Sequence, residues 1–272
     1  MAGKRQARKL VVSAATDLTP NMRRVTLQGE DLASFPQDAE GAYFKLALPV
    51  NGAEKPVLRT YTVARYRPQL NEIDVDFMLH SNSGESNSGV ASTWALQAKP
   101  GEPLSIFGPG RASFINTNAD WYLLAADMAA LPALIANLAR LPAEANGYVV
   151  IEIINNEDKQ TIYVPDGMTV IWVINSQPGS DSSPLYHTIK ELDWASGRVA
   201  VWAACEFTTM KKIRQYLRQD KNVAKTHLYI SSYWKKGLQE EQHKVAKRVD
   251  ASANIGGLTG VLKKIMTRMS KT

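Results

Sequence analysis

Near residue 118 the hydrophobic rhythm of this 272-residue chain changes, and that change limits what it can fold into. Before it, the segments VVSAATDLT, MRRVTLQG, YFKLALPV, LRTYTVARYR, EIDVDFMLH and PLSIFGPG are short, alternating and separated by turn residues. Such alternation suits antiparallel strands with one face buried, closed into a barrel or sandwich. After it, the apolar runs WYLLAAD, YVVIEIIN, TVIWVIN and RVAVWAA alternate with the helical patterns ALPALIANLARL and TTMKKIRQYLRQ. A strand that is apolar on both faces needs helices above and below, which is the rhythm of a parallel sheet with crossover helices. The polar stretch INTNAD separates the two textures. The expected organisation is therefore an antiparallel β-barrel domain over 1–117 and a parallel-sheet α/β domain over 118–250. A tail over 251–272 follows, in which Leu258, Val261, Leu262, Ile265, Met266 and Met269 form one stripe of an amphipathic helix with lysines opposite.

Several classes of function drop out. No run approaches the roughly 18–20 uncharged apolar residues of a membrane span, and the basic start MAGKRQARKL is followed by no apolar stretch. A cytoplasmic protein without stable membrane insertion is expected, with a monomer as the default. Cys205 is the only cysteine, so neither an internal disulfide nor a cysteine-ligated iron–sulfur cluster is available. His80, His187, His227 and His243 are scattered, and no metal site is assigned. The formal charge of +6 gathers in clusters at 4–9, 235–236, 244–248 and 263–271. No helix-turn-helix, zinc-finger or RNA-recognition signature accompanies them, so nucleic acid is not expected as a partner.

Chemistry concentrates first at Arg59-Thr60-Tyr61-Thr62. A strand that carries a flavin needs a cation for phosphates, an aromatic face for the ring system and a small hydroxyl near its reactive nitrogen, and these residues supply all three. Tyr and Thr are also ordinary strand residues, so the segment alone does not decide between the two uses. A Gly- and Ser-rich loop, SNSGESNSG, then leads into Gly89-Val90-Ala91-Ser92-Thr93, the start of a short helix. A helix entered this way offers free N–H groups to a pyrophosphate. Asp76 and His80 stand four residues apart in one strand and share a face.

These elements resemble the FAD domain of the siderophore-interacting protein family, related to the ferredoxin reductase superfamily. The matching residues are Arg59 to Thr62, Asp76 to His80, Gly89 to Ala95, Pro100-Gly101-Glu102 and Gly108-Pro109-Gly110. The chain departs from the family in a longer loop before Gly89 and in Val90, where proline is usual. The likeness continues through Ala126 to Ala133, Trp202 to Glu206 and Ser231 to Gly237, and covers about residues 8–248. It implies FAD as cofactor, with Arg59 on the phosphates, Tyr61 on the flavin ring and Thr62 near its reactive nitrogen. Ala91, Ser92 and Thr93 would cradle the pyrophosphate beside Thr60, Gly89 and Val90, while Asp76, Phe77 and His80 would line the pocket. The activity implied is reduction of a ferric siderophore, releasing Fe(II) in the cytoplasm.

Electrons would come from NAD(P)H or reduced ferredoxin. Asp127 and Glu206 each end an apolar strand, where an open parallel sheet binds its ligand, although both positions also suit helix capping. No Gly-x-Gly-x-x-Gly fingerprint follows, and Cys205 stands where the family usually has glycine. For an anionic chelate, Lys45, Lys235 and Arg248 flank the matched elements and are the candidate cations. A flavin reductase with another acceptor, and a siderophore-binding module without turnover, are the alternatives.

Overall fold

The computed structural model describes residues 7–50, 52, 54–79 and 89–253; His80, the loop 81–88 and the tail stripe from Leu258 lie outside them. Seven antiparallel strands come first: Arg8–Thr19 (β1), Met22–Gln28 (β2), Tyr43–Leu48 (β3), Val57–Thr62 (β4), Arg65–Arg67 (β5), Glu72–Met78 (β6) and Pro103–Phe107 (β7). Their order is β4-β3-β7-β1-β2-β6-β5. The two ends of that order are one piece of chain, because only Val63 and Ala64 separate β4 from β5. Val63 N–H donates to the Ala42 carbonyl at 2.8 Å and Ala64 N–H to that of Asp74 at 2.9 Å, so the segment 57–67 bends across and closes the barrel.

Alternation fixes the faces. In β6, Ile73, Val75 and Phe77 point inward with no exposure and meet Val25, Leu27, Phe44, Leu46 and Ile106. Asp74 and Asp76 take the other face, opposite Thr26 and Arg24 of β2. There Arg24 clasps Asp76 with two bonds of 2.7 and 2.8 Å, and Arg67 clasps Asp74 at 2.6 and 2.7 Å. Helix Val90–Gln97 (α1) covers one end of the barrel, burying Ala91, Trp94 and Ala95.

The second sheet contains Trp121–Asp127 (β8), Asn146–Ile153 (β9), Gly167–Ile174 (β10), Val199–Glu206 (β11) and Leu228–Trp234 (β12), all parallel, in the order β10-β9-β8-β11-β12. Helices Leu131–Leu138 (α2), Pro184–Glu191 (α3) and Phe207–Gln215 (α4) connect them. Every residue of β8 and β11 is buried, as strands covered on both faces must be. The chain begins at the centre with β8, winds outward to β10, then returns to β11 on the other side of β8. The β8/β11 boundary is thus the topological switch point. One strand, β12, was not among the expected apolar runs, because Ser231 and Ser232 interrupt its pattern.

A hairpin joins the two sheets. Leu18, Met22 and Met78 from the barrel pack among Tyr122, Leu124 and Ile153 of the parallel sheet. Beside them the fully buried Asp158 carboxylate accepts from Thr19 Oγ1 at 2.8 Å, Asn21 N at 3.0 Å, Asn21 Nδ2 at 2.9 Å and Asn155 N at 3.2 Å. A last helix, 240–253 (α5), is fastened by Arg214 to Asp250 at 2.6 and 2.8 Å, by Ser232 to His243 at 2.8 Å and by Lys247 Nζ to the Ser232 carbonyl at 2.9 Å.

Candidate functional site: a cofactor strand and a switch-point crevice

The expected cofactor residues gather at the α1 end of the barrel. Tyr61 packs on Phe77 with ring centroids 4.4 Å apart, and Phe77 on Trp94 of α1 at 5.6 Å. This row of rings links the middle of α1, through β6, to Tyr61 of β4. Burial pushes the Tyr61 phenol well up, while the nearby Arg59 charge pulls it the other way. Arg59 itself makes only a local bond among the described residues, from Nη1 to the Leu58 carbonyl at 3.0 Å. Helix α1 begins at Gly89 with no side-chain cap, and the space where a Gly89 Cβ would stand is open among the described residues. Its first N–H groups therefore keep the partial positive charge that draws an anion. Cation, ring and uncapped helix start are what FAD requires, so the residues present fit it: Arg59 and the N–H groups from Gly89 to Ser92 for phosphates, and Tyr61 for the ring.

Other expected residues are used differently. The Ser92 hydroxyl donates to the Met78 carbonyl at 3.1 Å and so fixes α1 to the end of β6 rather than pointing to a ligand. The Asp76 carboxylate is committed to Arg24 on the outer face. Phe77 lies inside the barrel beneath Tyr61, and Thr62 is buried opposite Tyr43. Tyr43 itself is half exposed, its ring held against Gly110, where a Cβ would stand 2.2 Å from the ring.

Among the candidate cations, Lys45 lies opposite Thr60 and is paired with Glu240 of α5, a residue the sequence reading did not single out. Lys235 sits 4.6 Å over the Phe207 ring. Arg248 is exposed on α5, eight residues beyond Glu240 and thus about 12 Å along the helix axis. The three do not converge in one cavity.

At the switch point Asp127 and Glu206 do come together, with a third carboxylate. Glu152, next to last in β9, stands directly beside Asp127 in the register, and all three are buried. Asp127 accepts from Trp234 Nε1 at 2.7 Å and Ala130 N at 3.2 Å. Glu206 caps α4 through Thr208 N and Thr209 N, and Glu152 accepts from Leu185 N at 3.3 Å. Burial, then the Glu152 charge, pushes Asp127 up to about 7, and burial also raises Glu152 and the Cys205 thiol. Glu152 was discernible in principle as the lone charge within YVVIEI.

The Asp127 shift gives a pH-dependent prediction. Its folded value lies above the unfolded value near 3.9, so between about pH 4 and 7 the folded chain holds a proton that the unfolded chain has lost. Stability through this group falls as pH rises across that window. Relative to wild type, Asp127→Asn is expected to gain about 3 kcal/mol in unfolding free energy between pH 4 and 7.5. Urea titrations at several pH values measure this, and parallel curves for the two proteins would refute it.

Comparison with known proteins places this geometry. The model for the siderophore-interacting FAD-binding domain matches residues 11–56 and 49–113, and that for the siderophore-interacting protein matches 119–237. The ferric vibriobactin reductase ViuB of Vibrio cholerae is 35% identical over 251 residues, covering 85% of this chain and 90% of its own. The siderophore-interacting protein SipS of Aeromonas hydrophila superposes with a TM-score of 0.80 at 30% identity, over 91% of this chain and 99% of its own. Ferredoxin-NADP+ reductase from Plasmodium falciparum, at 14% identity and a TM-score of 0.56 over 84% of this chain and 96% of its own, shares the fold. The cleft residues and matches on both sheets lead to one assignment: the chain belongs to the siderophore-interacting protein family, FAD-dependent oxidoreductases with the two-domain architecture of ferredoxin reductases.

Proposed function

We propose that this chain is a ferric-siderophore reductase of the cytoplasm, taking electrons from NAD(P)H or reduced ferredoxin and releasing Fe(II) from its chelate. The observation that carries the reading is that Arg59 and Tyr61 share one face of β4 and that Tyr61 is linked through the Phe77 ring to Trp94 of α1, a helix entered at Gly89. When bound, FAD supplies the redox chemistry, accepting electrons from the donor and passing them to iron. The chain's own residues hold and orient. Arg59 and the α1 N–H groups take the phosphates, Tyr61 backs the ring, and Thr62 stands ready to hydrogen-bond it. Lys45, Lys235 and Arg248 supply positive charge for an anionic chelate. The domain limits 1–117, 118–250 and 251–272 belong to the same proposal, the last part being an amphipathic helical tail.

One observation weighs on the donor. Where a dinucleotide pyrophosphate would seek free N–H groups, the switch point presents Asp127, Glu152 and Glu206, with the Trp234 indole bonded to Asp127. The Thr208 and Thr209 N–H groups at the start of α4, which a pyrophosphate would use, are already taken by Glu206, and this supports reduced ferredoxin over NAD(P)H. Among the described residues, no helix is long and apolar enough to cross a membrane.

An anaerobic visible spectrum tests the function. The purified protein is expected to show flavin absorbance that bleaches with dithionite and returns within one mixing time when ferric chelate is added, with Fe(II) trapped by a ferrous-specific dye. A reduced flavin that stays bleached in the presence of ferric chelate would overturn the reading.

A further inference from the structure

Thr60 lies on β4, whose outer edge is not paired with another strand among the described residues, so its backbone N–H needs a partner from elsewhere. Glu240 at the start of α5 supplies it. Its Oε2 accepts from Thr60 N at 2.8 Å, and its Oε1 from Thr60 Oγ1 at 2.8 Å, from Lys45 Nζ and from Lys244 Nζ at 3.2 Å. An edge amide, a hydroxyl and two ammonium groups thus converge on one carboxylate; burial works to raise it, but the bonds from Lys45 and Thr60 hold it down to about 2. Such a set of donors would equally receive an anionic oxygen from outside.

Two features let Glu240 leave without dismantling the fold. Helix α5 is fastened independently by Arg214–Asp250, Ser232–His243 and Lys247. The Glu240 side chain also follows a turn through Gly237, whose φ of 74° marks a left-handed turn preceding the helix. None of these three anchors involves Thr60 or Lys45.

Resting on the ferric-chelate reading, we propose that Glu240 is a specificity-determining residue. It is an internal carboxylate that occupies the Thr60–Lys45–Lys244 donors until an anionic ferric chelate displaces it. A chelate with peripheral carboxylate or catecholate oxygens can make that exchange. A neutral trihydroxamate chelate cannot, and gains nothing from these donors. The internal carboxylate thereby weakens every anionic ligand by the cost of its own displacement, and sets a threshold of charge for binding.

The test uses redox-inert gallium(III) chelates on the full-length holoprotein, read by calorimetry. Glu240→Gln is expected to bind an anionic catecholate or carboxylate chelate about tenfold more tightly than wild type, the scale of one charge-assisted hydrogen bond. Affinity for a neutral trihydroxamate chelate is expected to stay within about twofold of wild type. Equal changes for both chelates, or none for the anionic one, would sink the inference while leaving the reductase reading standing. If wild type binds neither chelate, both fall together. Should Glu240→Gln fail to fold, Glu240→Asp keeps the charge at the helix start but is one methylene too short to reach Thr60. It must then show the same selective gain.

Discussion

Replacing Asp158 with alanine is expected to lower the unfolding free energy by about 3–4 kcal/mol, measured by urea denaturation followed through tryptophan fluorescence. The carboxylate has no exposure and receives four donors, three of them from Thr19 and Asn21 on the barrel hairpin. Removing it leaves a hydroxyl, two backbone N–H groups and an amide N–H₂ to find water in a closed site, each at a cost of about 1–3 kcal/mol before relaxation. Asp158→Asn keeps one acceptor oxygen and is expected to lose about half as much. Because these bonds tie one sheet to the other, the alanine variant is also expected to unfold in two steps where wild type unfolds in one. A loss below about 1 kcal/mol with a single transition would show that the apolar contacts of Leu18 and Met22 alone hold the two parts together.

The second large effect is on cofactor retention. Arg59→Ala is expected to weaken FAD binding by about 30- to 100-fold, as befits one or two charge-assisted hydrogen bonds to phosphate. The readout is the ratio of flavin to protein absorbance as purified, followed by fluorescence titration of the stripped protein with FAD. Among the described residues Arg59 makes only a local bond to Leu58, so the thermal midpoint of the apoprotein is expected to be unchanged. Arg59→Lys is expected to recover part of the affinity, because a point charge cannot make the two-pronged contact of a guanidinium. Full FAD content in the alanine variant would remove Arg59 from the cofactor site.

Much of the fold was legible because it is written in local periodicity. The switch from alternating to continuous apolar runs near residue 118 announces the change from a sheet with one buried face to a sheet with two, and β6 and β8 show those two patterns directly. The strand β12 escaped because its serines serve α5: Ser232 binds His243 and Lys247, contacts that no periodicity reports. The site divides the same way. Arg59, Tyr61 and the helix start at Gly89 could be proposed as cofactor residues only through the family resemblance, because Tyr and Thr are also ordinary strand residues. Asp76 could not be assigned to the outer face, because its role depends on Arg24, 52 residues earlier in the chain. Glu152, Asp158 and Glu240 look like ordinary acidic residues in the sequence, and only the fold gives each its partners.

The hairpin that carries Leu18, Met22 and Asn21 across to the parallel sheet has a consequence for how the protein is made. The residues proposed on β4 and α1 for FAD lie within the first 97 residues, so a ribosome completes them before it has produced β8. The apolar tip of that hairpin has nothing to cover it until residues after 119 have emerged, and the Thr19 and Asn21 donors wait for Asp158. During synthesis the barrel therefore carries α1 and β4 while the apolar hairpin tip next to Met78 is still uncovered, and a fragment cut at the boundary would inherit that sticky surface permanently.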